Sequence, residues 1–384
     1  MKKLLALLLC LALCAGLFAA AMPAFAEEAE RETFSSGSFE YALLDDGTAE
    51  ITKYRGTAKV LILPDTLDSH AVTSIGDESF YFCSSPTSVA IPDSVTSIGV
   101  NPFAACDKLT AIKVSPDHPT LATIDGVLFN KTDKCLVCYP CAYTASSYSI
   151  PQGIKSIGDW AFSSCDSLTS VAIPDSVTSI GDYAFYFCDS LTSVTIPDSV
   201  TSIGDSAFYG CRSLTSVTIP DSVISIGDWA FSGCKSLTSV SIPDSVTFIG
   251  DEAFSDCRSL TSVTIPDSVI SIGDEAFSGC KSLTSVSIPD SVTSIGDSAF
   301  FNCGSLTSVA IPDSVTSIGD LAFSYCDSLT SITIPDSVTS IGDWAFDGCG
   351  SLTLTVGRDS YAKEYCIENG LSYTYAGAND WLNS

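Results

Sequence analysis

The sequence has almost no histidine: His70 and His118 are the only 2 in 384 residues, both in turn-like surroundings, "LDSHAV" and "SPDHPT". A Ser-His-Asp or Cys-His arrangement needs an imidazole beside its nucleophile, so it has little to draw on. The abundant serine and aspartate are accounted for by turns and caps. No catalytic function and no cofactor are expected. Bases are scarce too: 17 Lys and Arg stand against 45 Asp and Glu, a formal charge of −28. That balance favours solubility and argues against nucleic acid or an anionic membrane as the main partner. Beyond the N-terminal stretch, no apolar run reaches the ~18 residues that would suggest a transmembrane segment. The C-terminal "YAGANDWLNS" carries neither a hydrophobic tail nor a sorting motif.

The one long apolar run lies at the start. "MKKLLALLLCLALCAGLFAAAMPAFA" places Lys2 and Lys3 before an apolar core and Ala24-Phe25-Ala26 before Glu27. This is the layout of a secretory signal peptide over residues 1–26, with cleavage expected near Ala26. Lipidation at Cys14 is the rival reading, although Leu13 stands where a small residue is wanted.

The rest of the chain repeats itself. "SLTSVTIPDSVTSIGDSAF" begins at Ser190, and near-copies begin at Ser213, Ser236, Ser259, Ser282, Ser305 and Ser328, a period of 23 residues. A fixed period overrides the two or three domains that the length alone would suggest, because each unit must stack on the next to bury its apolar edge. Within one unit, "LTSVTI" suits a strand with Leu191, Val194 and Ile196 inward. Pro197 ends it and "PDS" turns the chain. "VTSIG" offers a second strand with Val200 and Ile203 inward. Gly204 is expected to supply an unusual backbone conformation, and Asp205 to cap a helical turn, "SAFYGC", that buries Ala207, Phe208 and Cys211. In-register stacking at about 4.8 Å would give thirteen or so turns and a body roughly 60 Å long.

The run L-x-x-V-x-I-P-D-S-V-T-x-I-G-D-x-A-F-x-x-C resembles the BspA-like class of bacterial leucine-rich repeats, most specifically from Ser167 to Leu352. "GTAEITKYRG" before "VLILP" is similar to that family's opening strands, and "DSYAKEYCIENGLSYTYA" to its closing helix and strand. "SPDHPTLATIDGVLFNKTDKCLVCYP" resembles its longer, hairpin-bearing unit. The resemblance implies a repeat solenoid, a right-handed leucine-rich-repeat-like array of parallel β-strands with short helical turns, capped at both ends. Capping strands are expected over 27–62, the solenoid over 63–354 with the irregular unit at about 109–151, and a C-terminal cap over 355–384. The interval from Ile98 to Ile157 is 59 residues, 13 more than two repeats, consistent with two turns plus a projecting hairpin that continues the same core. The resemblance further implies a secreted or surface-displayed binding protein, sometimes an adhesin.

Several columns of equivalent residues bear on chemistry. Cysteines recur from Cys165 to Cys349 at the same spacing of 23, beside a buried phenylalanine. Stacked Cα atoms would allow adjacent disulfides, whereas parallel Cβ vectors favour buried free thiols. Cys135, Cys138 and Cys141 have metal-like x-x spacing, but alternation along a strand turns the first two to opposite faces. The stacked aspartates, Asp175 with Asp198 and Asp182 with Asp205, would repel unless they bind cations or face water as caps. After the ladder cysteine come Arg212, Lys235, Arg258 and Lys281 on consecutive turns. They either pair with neighbouring acids or form a patch for an anionic partner. After "IGD" comes a variable column holding Trp160, Tyr183 and Trp229, which are either packing between turns or an exposed interface. The expected function is non-catalytic binding of an extracellular protein or glycan. A passive spacer or surface-layer component is the alternative.

Overall fold

The computed structural model describes residues 31–376. The expected signal peptide, with Cys14 and the Ala26 cleavage position, lies outside the described residues, as does 377–384.

The chain winds into a parallel β-solenoid. Each regular turn contributes a three-residue strand such as Ser193–Thr195 and a two-residue strand such as Ser202–Ile203. In the regular turns each strand pairs with its equivalent 23 residues on, Val194 with Val217 and Ile203 with Ile226. The regular turns build two sheets, of 12 and 11 strands, and a 6-stranded and a 3-stranded sheet form the N-terminal part. The expected inward set is buried: Leu191, Val200, Ala207, Phe208 and Cys211 are fully enclosed, and Val194, Ile196 and Ile203 nearly so. Phenylalanine rings stack down the core almost parallel, Phe208 on Phe231 at 5.2 Å and Phe231 on Phe254 at 5.5 Å.

The expected helical turn is instead a ladder of tight turns. Ser206, Phe208 and Gly210 donate their N–H groups to the carbonyls of Asp228, Ala230 and Ser232 in the next turn, each at 2.8 Å. Ala207, Tyr209 and Cys211 donate three residues back within their own turn. An α-helix would consume these donors internally. Here half of them bind the neighbouring turn, which requires left-handed backbone at Ser206 (φ 53°) and Gly210 (φ 69°). Among the described residues the one α-helix is Tyr361–Asn369, capped by the Ser360 side chain.

Asp205 therefore caps no helix of its own. Its carboxylate accepts the N–H of Asp228 at 2.9 Å, while its own N–H donates to Asp182 Oδ1 at 2.8 Å. The same bond recurs down to Asp343. The stacked aspartates thus sit within repulsive range because each carboxylate satisfies the next turn's backbone. Gly204 also differs from expectation, since its backbone is not left-handed. A Cβ there would lie 2.4 Å from Asp182 Oδ1 and 2.6 Å from the Gly181 carbonyl carbon. Glycine is required for space, not for φ.

Other polar columns interlock likewise. Ser222 Oγ donates to the Val200 carbonyl at 2.6 Å, and Thr215 Oγ1 to the Thr192 carbonyl at 3.1 Å. The described cysteines are all unbridged. Cys211 Sγ donates to the Phe185 carbonyl at 3.1 Å and Cys234 to Phe208 at 3.2 Å, so the thiol column is a small buried donor set. Burial pushes the Cys303 thiol up to about 12.

The irregular unit does not project. Leu121–Ile124 and Val127–Asn130 form an antiparallel hairpin through Asp125-Gly126, both at positive φ, as a two-residue hairpin turn requires. Val127–Asn130 then pairs with Cys135–Cys138, and Cys135 with Ser156, so the hairpin forms the starting edge of the 12-stranded sheet. It also divides the core. Tyr41 to Cys138 form one apolar cluster and Val127 to Cys366 another, and the hairpin lends residues to both. Cys138 belongs to the first and Cys141 to the second, so the three clustered cysteines do not converge.

A linear array should respond locally to damage. Phe254 lies between Phe231 and Phe277, 5.5 and 5.6 Å away. Phe254→Ala should cost about 3–5 kcal/mol, and hydrogen exchange should quicken first in the adjoining turns. Uniform loss of protection along the chain would contradict this.

Candidate binding surface

With the ladders satisfied internally, two columns remain chemically variable, and both follow from turn geometry. The residue after each "IGD" aspartate donates its N–H to the next turn's aspartate carbonyl, Trp160 to Asp182 and Tyr183 to Asp205. That bond holds Trp160 and Tyr183 left-handed, at φ 58° and 56°. Being in register, their rings stack at 4.2 Å with planes 7° apart.

This pair is the centre of a larger aromatic surface. Trp160 meets Tyr186 edge-on at 5.3 Å, and Tyr186 stacks on Tyr209 at 5.2 Å. Phe187 packs against both tyrosines, at 4.5 and 5.4 Å. On the other side, Tyr81 lies 6.2 Å from Trp160 and 4.5 Å from Phe82, which is 68% exposed. The other rings are half-buried. The surface spans the place where the hairpin divides the core, and Asn101 crosses there to donate from Nδ2 to the Trp160 carbonyl at 2.7 Å.

Arg212 closes this surface. Its guanidinium lies 5.4 Å from the Phe187 ring centroid and donates to Asp189 Oδ2 at 3.1 Å. Next along the post-cysteine column, Lys235 and Lys281 have no ion pair among the described residues, while Arg258 pairs with Asp256 at 3.1 Å. The four bases are therefore not a continuous free stripe: two of them are held by carboxylates. The structure brings Trp160, Tyr183 and Arg212 together. Lys235, Arg258, Lys281 and half-buried Trp229 occupy later turns, with Glu252 next after Trp229 in the variable column.

Tyr81, Phe82, Tyr186, Phe187 and Tyr209 were not among the residues expected from the sequence. Their signal was present in "SFYFC", "AFYFC" and "AFYGC", where aromatics fill positions that other repeats give to serine, glycine or aspartate.

Farther along the same variable column, two acids lie one turn apart. Burial, then the charges of Glu252 and Asp274, push Glu275 up to about 7 from an ordinary 4.5. Burial likewise raises Glu252. A raised carboxyl binds its proton more tightly in the folded state, so stability falls as pH rises from the unfolded value through 7. Stability should therefore be greater at pH 5 than at pH 8. Glu275→Gln should flatten that difference and raise the melting temperature at pH 8. An unchanged pH profile would contradict the assignment.

The family described as "BspA type Leucine rich repeat region (6 copies)" matches residues 62–138, 136–261 and 247–370. A leucine-rich cell surface protein of Faecalibacterium prausnitzii A2-165 is 32% identical in a structural match with a TM-score of 0.52, over 92% of this chain and 97% of the other. A leucine-rich repeat protein of Bacteroides ovatus is 28% identical with a TM-score of 0.55, over 89% and 99%. No curated protein matches by sequence. Since the family match runs through nearly the whole array and the repeat geometry is visible turn by turn, the chain belongs to the BspA-type leucine-rich repeat family.

Proposed function

We propose that this chain is a secreted or surface-displayed, non-catalytic protein that binds an extracellular protein or glycan through the aromatic surface around Trp160. In this reading residues 1–26 are removed on export. Residues 27–62 and 355–384 close the ends of the array over 63–354. The likeness to a cell surface protein of Faecalibacterium prausnitzii supports the location.

One observation carries the choice of site. Seven aromatic rings lie in mutual contact on one surface, in a chain whose other columns are serine, threonine and aspartate engaged in ladder bonds. Aromatic faces suit sugar rings and apolar side chains alike, and Arg212 adds a cation beside them. Lys235, Arg258, Lys281 and Trp229 extend the surface along the array toward a longer ligand. The spacer reading predicts instead that only repeat number matters.

Sister repeats supply substitutions that the fold already accommodates: serine stands at the Trp160 and Tyr183 position as Ser206 and at the Tyr186 position as Ser232. A chain beginning at Glu27 should capture a partner on an array of glycans and matrix proteins. Trp160→Ser, Tyr183→Ser and Tyr186→Ser together should weaken that capture by about tenfold or more, with circular dichroism unchanged. Equal capture by both proteins would contradict the proposal.

A further inference from the structure

A second surface lies two turns farther on, in the 12-stranded sheet. Most repeats read "VTSIG" through its short strand, whose outward positions are threonine and serine. Three consecutive turns depart from this: Ile224 in "VISIG", Phe248 in "VTFIG" and Ile270 in "VISIG". All three point outward, 63%, 44% and 55% exposed. Ile224 and Ile270 immediately precede the strands Ser225–Ile226 and Ser271–Ile272, and Phe248 opens Phe248–Ile249 between them; the three strands are successive neighbours, so the apolar residues fall within about 10 Å of one another along the array.

The array loosens at the same place. Elsewhere in this parallel ladder each junction pairs two residue couples, such as Ser202 with Ser225 and Ile203 with Ile226. Beneath Phe248 only Ile226 and Ile249 pair. The other sheet is thinned between the same two turns, where Ser216 with Ser239 is the sole couple, as Ala310 with Thr333 is at one junction farther along. Apolar exposure and weakened pairing both count against stability, and repeats without them stand on either side. Departures of this kind are expected where a surface serves something other than the fold.

Charge indicates the partner. Exposed Asp221, Asp244 and Asp267 stand on the "PDS" turns three or four residues before the patch positions, and Asp228, Asp251 and Asp274 three or four residues after them. Among the described residues none of the six is in an ion pair with a base. Between Ser213 and Asp290 the only bases are Lys235, Arg258 and Lys281, which follow the cysteines on the far side of the tight turns.

We propose that Ile224, Phe248 and Ile270 form a docking surface for a cationic polypeptide segment, whose apolar side chains cover the three residues while its Lys or Arg side chains meet the two aspartate rows. This site is separate from the aromatic surface and opposite in the charge it selects.

The sister repeats again give the test. Ile224→Thr, Phe248→Ser and Ile270→Thr restore residues that neighbouring turns already carry. The probes are three synthetic peptides of equal length, alternating Leu with Lys, Leu with Glu, and Ser with Lys, titrated by fluorescence anisotropy against the chain from Glu27 onward. The Leu/Lys peptide should bind the wild type more tightly than either control. It should lose about tenfold or more in the triple variant. Asp221→Asn, Asp244→Asn and Asp267→Asn together should weaken binding and reduce its salt dependence. The Trp160→Ser, Tyr183→Ser, Tyr186→Ser protein should bind the peptide as wild type does, so failure here is distinguishable from failure of the aromatic site. Equal binding of Leu/Lys peptide to wild type and triple variant would overturn the proposal, as would Leu/Glu binding as tight as Leu/Lys. Dimerisation of the wild type that the triple variant abolishes would overturn it in favour of a second copy of the chain.

Discussion

Each turn of this protein is completed by the next one. The tight turn after the second strand sends half its N–H groups forward to the following turn, and the aspartate that opens it accepts from the aspartate one turn on. A buried or half-buried N–H without a partner would cost about 1–3 kcal/mol, and several recur in every turn. Stacking is therefore imposed on the polar side of the turn as firmly as on the apolar side. From Gly181 to Gly342 the glycine before each aspartate follows from the same constraint, because the carboxylate of the preceding turn's aspartate occupies the space of its Cβ.

That constraint also shapes the surface. Columns committed to cross-turn bonds cannot vary without breaking a ladder, so serine, threonine, aspartate and cysteine recur almost unchanged. Freedom is greatest where a position contributes only backbone to the ladder: the left-handed residue after the aspartate, the two residues before the cysteine and the residue after it. On the threonine column of the short strand, Ile224 and Ile270 give up the cross-turn bond that Thr201 makes to the Thr178 carbonyl at 3.4 Å. The aromatic surface draws on these positions, and the apolar patch combines the short strand with two of the aspartate columns. In-register stacking then multiplies any substitution shared by adjacent turns, as Trp160 on Tyr183 and Tyr186 on Tyr209 show.

The period, the inward residues and the phenylalanine and cysteine columns were legible in the sequence, because burial leaves a pattern that repeats. The conformation of "SAFYGC" was not. Rules for helix caps look for a partner three residues away, whereas the partner of Asp205 is 23 residues away in Asp228. The repeat itself held that information, since a period of 23 states which residue lies alongside. Gly204 was misjudged for a related reason: its role depends on a side chain of the preceding turn, not on its own φ. The aromatic surface was half visible. Trp160 and Tyr183 stood in a recognisable column, but contact with Tyr81 depends on how the inserted hairpin brings distant turns together.

The claim that cross-turn space dictates the glycines can be tested by comparing two Gly→Ala substitutions. At Gly204 a Cβ would meet Asp182 Oδ1 at 2.4 Å, whereas at Gly304 its nearest neighbour would be Asp327 Oδ2 at 3.9 Å. Neither residue is left-handed, so backbone freedom alone would treat them alike. Denaturant unfolding should show Gly204→Ala losing about 1–3 kcal/mol and Gly304→Ala staying within about 0.5 kcal/mol of wild type. Equal effects at the two positions would contradict the account.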